Sequence, residues 1–130
     1  MAWESSTIST SEGLDLALHH WTGGNSGDRA PLLISHATGF HGRAYSALAA
    51  ALEDHFDCWA LDYRGYGDST VAPDWAVDWY AYAQDALVAI DAVYEHTGAP
   101  RGSLVGIGHS MGAATLLIAS RLAPGSLLSL

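Results

Sequence analysis

The sequence predicts an α/β fold, a mainly parallel sheet with an N-terminal β-hairpin and helices on both faces, on three observations. Short apolar runs of strand length, "APLLISHA", "FDCWALD" and "GSLVGIGH", recur along the chain. Longer alanine- and leucine-rich stretches with helical spacing stand between them. The apolar runs lack polar alternation, so each is expected to be buried on both faces, as strands of a parallel sheet are. Right-handed crossovers then place the intervening helices on the two faces.

Taken in order, "STISTSEGLDLALHHWTGG" holds two extended runs around "SEG" and ends in a Gly-rich turn, the pattern of a hairpin at a sheet edge. "APLLISHA" follows as the first buried strand. In "RAYSALAAALEDH" the residues Tyr45, Leu48, Ala49 and Leu52 share helical spacing, so a helix is expected there. "FDCWALD" is the second buried strand. Trp79, Ala83, Ala86, Leu87, Ile90 and Tyr94 then form one apolar stripe, with Asp85, Asp91 and Glu95 outside it. Gly98 and Pro100 close that helix. "GSLVGIGH" is the third strand, and "MGAATLLIASRLA" is a helix apolar nearly all round, stopped by Pro124 and Gly125. "SLLSL" begins a further strand, expected to be unpaired.

With 130 residues, 49% of them apolar, one hydrophobic core is expected. The formal charge of −9 arises from fourteen acidic residues against five arginines placed singly, Arg29, Arg43, Arg64, Arg101 and Arg121. Nucleic acid and anionic membranes both need clustered positive charge, so neither is an expected partner. "MAWESSTIST" has no basic or apolar leader region, and no apolar run reaches the roughly 20 residues that span a bilayer. The expected location is cytoplasmic. The single cysteine, Cys58, lies in an apolar run without a basic neighbour and reads as a buried structural thiol. His19, His20, His41, His55 and His96 show no ligand spacing with carboxylates, so no metal or other cofactor is expected. The aromatic group Trp75, Trp79, Tyr80 and Tyr82 fits packing better than a pocket lining.

Chemistry is concentrated in "GHSMGA". Gly108, His109, Ser110, Met111 and Gly112 form a G-x-S-x-G pattern between a buried strand and a helix, the setting in which a serine stands exposed on a sharp turn. The two glycines spare that turn side-chain clashes, and the helix N-terminus behind Ser110 offers free N–H groups to a developing oxyanion. The alternative is that Ser110 only caps the helix. Two further stretches follow strands: "HATGFHG", His36 to Gly42, and "DYRGYGDS", Asp62 to Ser69.

These three stretches, in this order over residues 31–123, resemble the N-terminal half of the α/β-hydrolase fold superfamily. The resemblance implies that Ser110 is the nucleophile of a serine hydrolase acting on an ester or other acyl substrate. It also implies that the backbone of Met111 and of a residue in the His36 loop, Thr38 or Phe40, forms the oxyanion hole. Ala37 and the placement of Gly39 depart from the His-Gly start common in that loop, so both donors stay open. His36 is expected to hold its turn by hydrogen bonding. Asp62 and Arg64 are expected to pair and brace the loop that Gly65 and Gly67 allow to turn. His109, beside Ser110 on the elbow, is a poor base because neighbouring side chains there diverge.

No histidine or carboxylate follows Ser110. A serine nucleophile needs a base and an orienting acid, which in the superfamily come later in the chain. Residues 1–130 are therefore expected to be the N-terminal portion of one domain, inactive alone and prone to self-association through an exposed sheet edge. Rival functions are a non-catalytic binding or receptor protein on the same fold, and an acyltransferase or carbon–carbon hydrolase using the same elbow.

Overall fold

A computed structural model describes residues 3–24, 28–71 and 76–130. Trp75 lies outside the described residues. Strands β1 (Trp3–Ser9) and β2 (Asp15–Trp21) form the expected antiparallel hairpin. β3 (Ala30–Ser35), β4 (Phe56–Leu61) and β5 (Val105–Gly108) are parallel to one another, and the sheet order is β1-β2-β4-β3-β5. The hairpin joins the parallel strands through the antiparallel pair β2–β4.

Both faces are covered. Helix α1 (Ser46–Leu52) sets Ala49 against Trp21, Leu32, Ile34, Cys58 and Ala60 on one face. Helices α2 (Trp79–Thr97) and α3 (Met111–Leu122) bury Leu16, Leu33, Trp59 and Leu61 on the other. Cys58 is the buried thiol expected of it, with burial lifting its pKa to about 11.

Several elements differ from expectation for local physical reasons. The first helix opens as a 3₁₀ turn, Gly42–Tyr45, where Gly42 is wedged against Ala60, Asp62 and His19 with no room for a Cβ. The α2 stripe is wider than expected: Ala83, Ala86, Ile90 and Tyr94 are buried as the spacing predicts, Tyr82, Asp85, Ala89 and Val93 are buried beside them, and Trp79 is 42% exposed and Tyr80 66%. Asp85, expected outside the stripe, is inside because Arg64 meets it there. β5 is short and only partly buried. α3 keeps Leu117 and Leu122 exposed. The terminal stub is paired rather than free: Gly106 N–H donates to Ser129 O (2.9 Å) and Leu128 N–H to Leu104 O (2.7 Å).

Candidate active site

Ser110 joins β5 to α3 with φ 55° and ψ −113°, the only non-glycine with positive φ among the described residues. Such a conformation costs on the order of 1–3 kcal/mol and persists only where its surroundings enforce it. Those surroundings are visible. His109 N–H donates to Ser35 O (3.0 Å), tying the elbow to the end of β3. A Cβ on Gly112 would strike the Ser35 carbonyl, and one on Gly108 would strike Ala113. Both glycines of the motif are therefore required by close approach of the helix to the sheet.

Ser110 occupies the N-cap position, yet its side chain makes no capping hydrogen bond. The residue is exposed, and no hydrogen bond of the described residues uses its hydroxyl. Capping is thus not what the side chain does. Behind it, Gly112 N–H returns to His109 O and Ala113 N–H to Ser110 O, both at 3.0 Å. The Met111 N–H stands ahead of these bonds at the first turn of α3, where helix N–H groups lack intrahelical acceptors.

The His36 loop distinguishes between its two candidate donors. Phe40 N–H donates to Ala37 O (3.0 Å), closing a turn through Thr38 and Gly39, so that donor is spent. Thr38 is exposed, and no hydrogen bond of the described residues engages its N–H. Ala37 N–H donates to the Tyr45 hydroxyl (3.0 Å), which lies 2.9 Å from His109 Nδ1. Tyr45, absent from the sequence reading as a site residue, thereby links the loop to the elbow. His109 is turned toward Tyr45 and the Phe40 ring.

His36 is fully buried and does hold its turn. Its Nε2 accepts from Tyr63 N–H (3.0 Å), which places the ring proton on Nδ1, 2.8 Å from the Ala37 carbonyl. Burial pulls its pKa below the ordinary 6.5.

Asp62 and Arg64 do not pair, contrary to expectation. β4 ends at Leu61, so strand alternation does not carry both side chains to one face. Asp62 instead receives His19 Nε2 (2.9 Å), Gly42 N–H (2.7 Å) and Asp68 N–H (3.0 Å). Burial works to raise its carboxyl pKa, and these three donors outweigh burial and hold it below the ordinary value. Arg64 reaches Asp85 (2.7 Å) and Glu12 (2.9 Å), which keep the guanidinium firmly charged. Gly65 N–H donates to Thr70 O, and Gly67 packs directly on the Asp62 carboxylate. His19, Asp62 and Asp68 lie within 4.8 Å of one another as possible metal ligands. The Asp62 oxygens are already engaged by His19 and the two amides, which fits bracing.

The architecture and the elbow together define an α/β hydrolase. The chain matches the family model described as serine aminopeptidase, S33, over residues 27–128, and it belongs to that family of α/β hydrolases. It is similar to the pimeloyl-[acyl-carrier protein] methyl ester esterase of Methylococcus capsulatus, 32% identical over 105 residues that cover 81% of this chain and 37% of that protein. An α/β hydrolase of Novosphingobium aromaticivorans superposes with a TM-score of 0.74 at 27% identity, covering 98% of this chain and 42% of the other. A hydrolase of Pseudomonas aeruginosa superposes with a TM-score of 0.78 at 24% identity, over 95% and 43%. The chain thus spans about two fifths of the length of these relatives. Among the described residues, no helix is long and apolar enough to cross a membrane.

Proposed function

We propose that the protein is a serine hydrolase of carboxylic esters or related acyl compounds, and that residues 1–130 are the N-terminal portion of its single domain. Ser110 Oγ attacks the substrate carbonyl carbon. The oxyanion is held by the N–H groups of Met111 and Thr38, the alkoxide leaves with a proton, and water then releases the acid from Ser110. The observation that carries this reading is the Ser110 backbone: strained, exposed, and with a hydroxyl that makes no hydrogen bond among the described residues. Similarity to a methyl ester esterase supports an ester over other acyl groups. A cytoplasmic location belongs to the same proposal.

Ser110 needs a base, and the chain supplies no histidine or carboxylate after it. We therefore propose that the 130 residues alone do not turn over esters. Self-association through the β5 side is part of the proposal, supported by exposed Leu117, Leu122, Leu128 and Leu130. The test is to express the protein with the coding sequence that follows Leu130, treat it with a fluorophosphonate and map the adduct. Modification of Ser110, with ester turnover abolished in Ser110→Ala, is expected. Turnover that survives Ser110→Ala overturns the reading.

A further inference from the structure

Toward the opposite edge of the sheet from the elbow, Ser5 on β1, His19 on β2 and Asp62 after β4 form a serine–histidine–aspartate chain. Ser5 Oγ lies 2.6 Å from His19 Nδ1, and His19 Nε2 lies 2.9 Å from Asp62 Oδ2. The proton positions follow from the carboxylate. Asp62 can only accept, so Nε2 carries the hydrogen and Nδ1 presents its lone pair to the Ser5 hydroxyl. Asp62 is held against rotation by the Gly42 and Asp68 amides. The imidazole is therefore fixed in the tautomer and orientation of a general base.

The sheet register brings the two side chains together. Ser5 on β1 stands opposite His19 on β2. Ala17 directs both its N–H and its carbonyl away from β1, to Ser69 Oγ (2.9 Å) and Asp62 N–H (3.0 Å). By the two-residue repeat, His19 does the same, so Ser5 and His19 form a non-hydrogen-bonded pair, in which side chains approach most closely. The same geometry turns the Ser5 N–H outward along the open edge, where it can donate to an incoming oxygen. Burial divides the group: His19 and Asp62 are 0% exposed, whereas Ser5 is open to solvent. A shielded base and acid thus serve a hydroxyl that reagents can reach.

We propose that Ser5 is an acyl-accepting serine, activated by His19 and Asp62, that takes an acyl group from a small activated ester. Ser5 Oγ bonds to the ester carbonyl carbon, and the bond from that carbon to the leaving oxygen breaks. The Oγ proton passes to His19 Nδ1 and from there to the departing alkoxide. The product is an ester on Ser5 and a free alcohol. This site is independent of Ser110 and of the elbow's function.

The experiment uses the protein expressed past Leu130 and carrying Ser110→Ala, incubated with p-nitrophenyl acetate and mapped by peptide mass spectrometry. Acetylation is expected at Ser5 ahead of the neighbouring exposed Ser11, and about a hundredfold slower at Ser5 in His19→Gln, the usual scale of general-base assistance. Acetylation of Ser5 no faster than of Ser11 overturns the proposal. Because His19→Gln alters a buried group, Ser5→Cys provides a second measurement in an otherwise native site. Cys58 is buried with its pKa near 11, so within residues 1–130 the introduced thiol is the reactive one. Its reaction with iodoacetamide at neutral pH is expected to exceed that of glutathione by about tenfold, reflecting a thiolate stabilised by His19. A rate equal to that of glutathione overturns the proposal.

Discussion

The loop after β4 and the elbow after β5 both follow parallel strands at the same end of the sheet, and they use their polar groups in opposite ways. After β4, charged side chains are buried and spent: Asp62 takes three donors and Arg64 is clamped by Asp85 and Glu12. After β5, the backbone is strained at Ser110 and the hydroxyl is uncommitted among the described residues. The difference shows how to tell bracing from chemistry in this molecule. Buried polar groups whose partners all lie inside the fold hold the frame, the His19–Asp62 pair differing in that one partner is the solvent-open Ser5. Donors and a hydroxyl left free on a strained, exposed turn are instead what the proposed substrate would use.

The largest expected effect is on the bracing side. Asp85→Ala leaves the Arg64 charge buried with only the exposed Glu12 near it, and is expected to cost about 3–5 kcal/mol in urea unfolding. Glu12→Gln, at the solvent end of the same cluster, is expected to leave the urea midpoint unchanged within error. Equal losses in the two variants would erase the distinction between the buried and exposed arms.

The elbow side is sharpened by the two candidate donors. In the protein expressed past Leu130, Thr38→Pro removes the unspent N–H and should lower kcat by about a hundredfold. Phe40→Pro removes an N–H already bonded to Ala37 O, so its cost should appear in the melting temperature more than in kcat. Reversal of the pair would make Phe40 the donor.

A smaller effect is read by pH, at His36 in the loop after β3 and Asp62 in the loop after β4. The folded pKa of His36 lies below its ordinary 6.5, so the unfolded chain takes up the proton first. The stability that His36 contributes is complete above about pH 6.5 and is lost as the pH falls through the lowered value. Asp62, also lowered from an ordinary 3.8, adds its loss only in stronger acid. Urea midpoints measured from pH 7.5 to 5 should fall in the wild type, and the slope should flatten in His36→Gln. A slope unaltered by that change would assign the titration elsewhere.

The sequence carried the hairpin, the parallel strands and the elbow because each is a local pattern: an apolar run, a turn, two glycines around a serine. Ion-pair partners were not legible, since His19 meets Asp62 across 43 residues and Arg64 meets Glu12 across 52. One signal was available for Asp85. It lies three residues after Tyr82 and four before Ala89, on the face that is buried, and an acidic residue at such a position asks for a cationic partner. The choice between Thr38 and Phe40 could not be read from spacing, because it depends on which amide the turn itself consumes. Tyr45 fits its helical spacing, and only the folded loop shows its hydroxyl between Ala37 and His109.

The central claim is that the elbow holds Ser110 in a backbone conformation the fold would otherwise avoid. Comparing Ser110→Gly with Ser110→Ala in urea tests it most directly, since both remove the hydroxyl and only glycine relieves positive φ. After allowing for the extra freedom glycine has in the unfolded chain, Ser110→Gly is expected to be the more stable of the two by about 1 kcal/mol. Equal stability, or a more stable Ser110→Ala, would contradict the account.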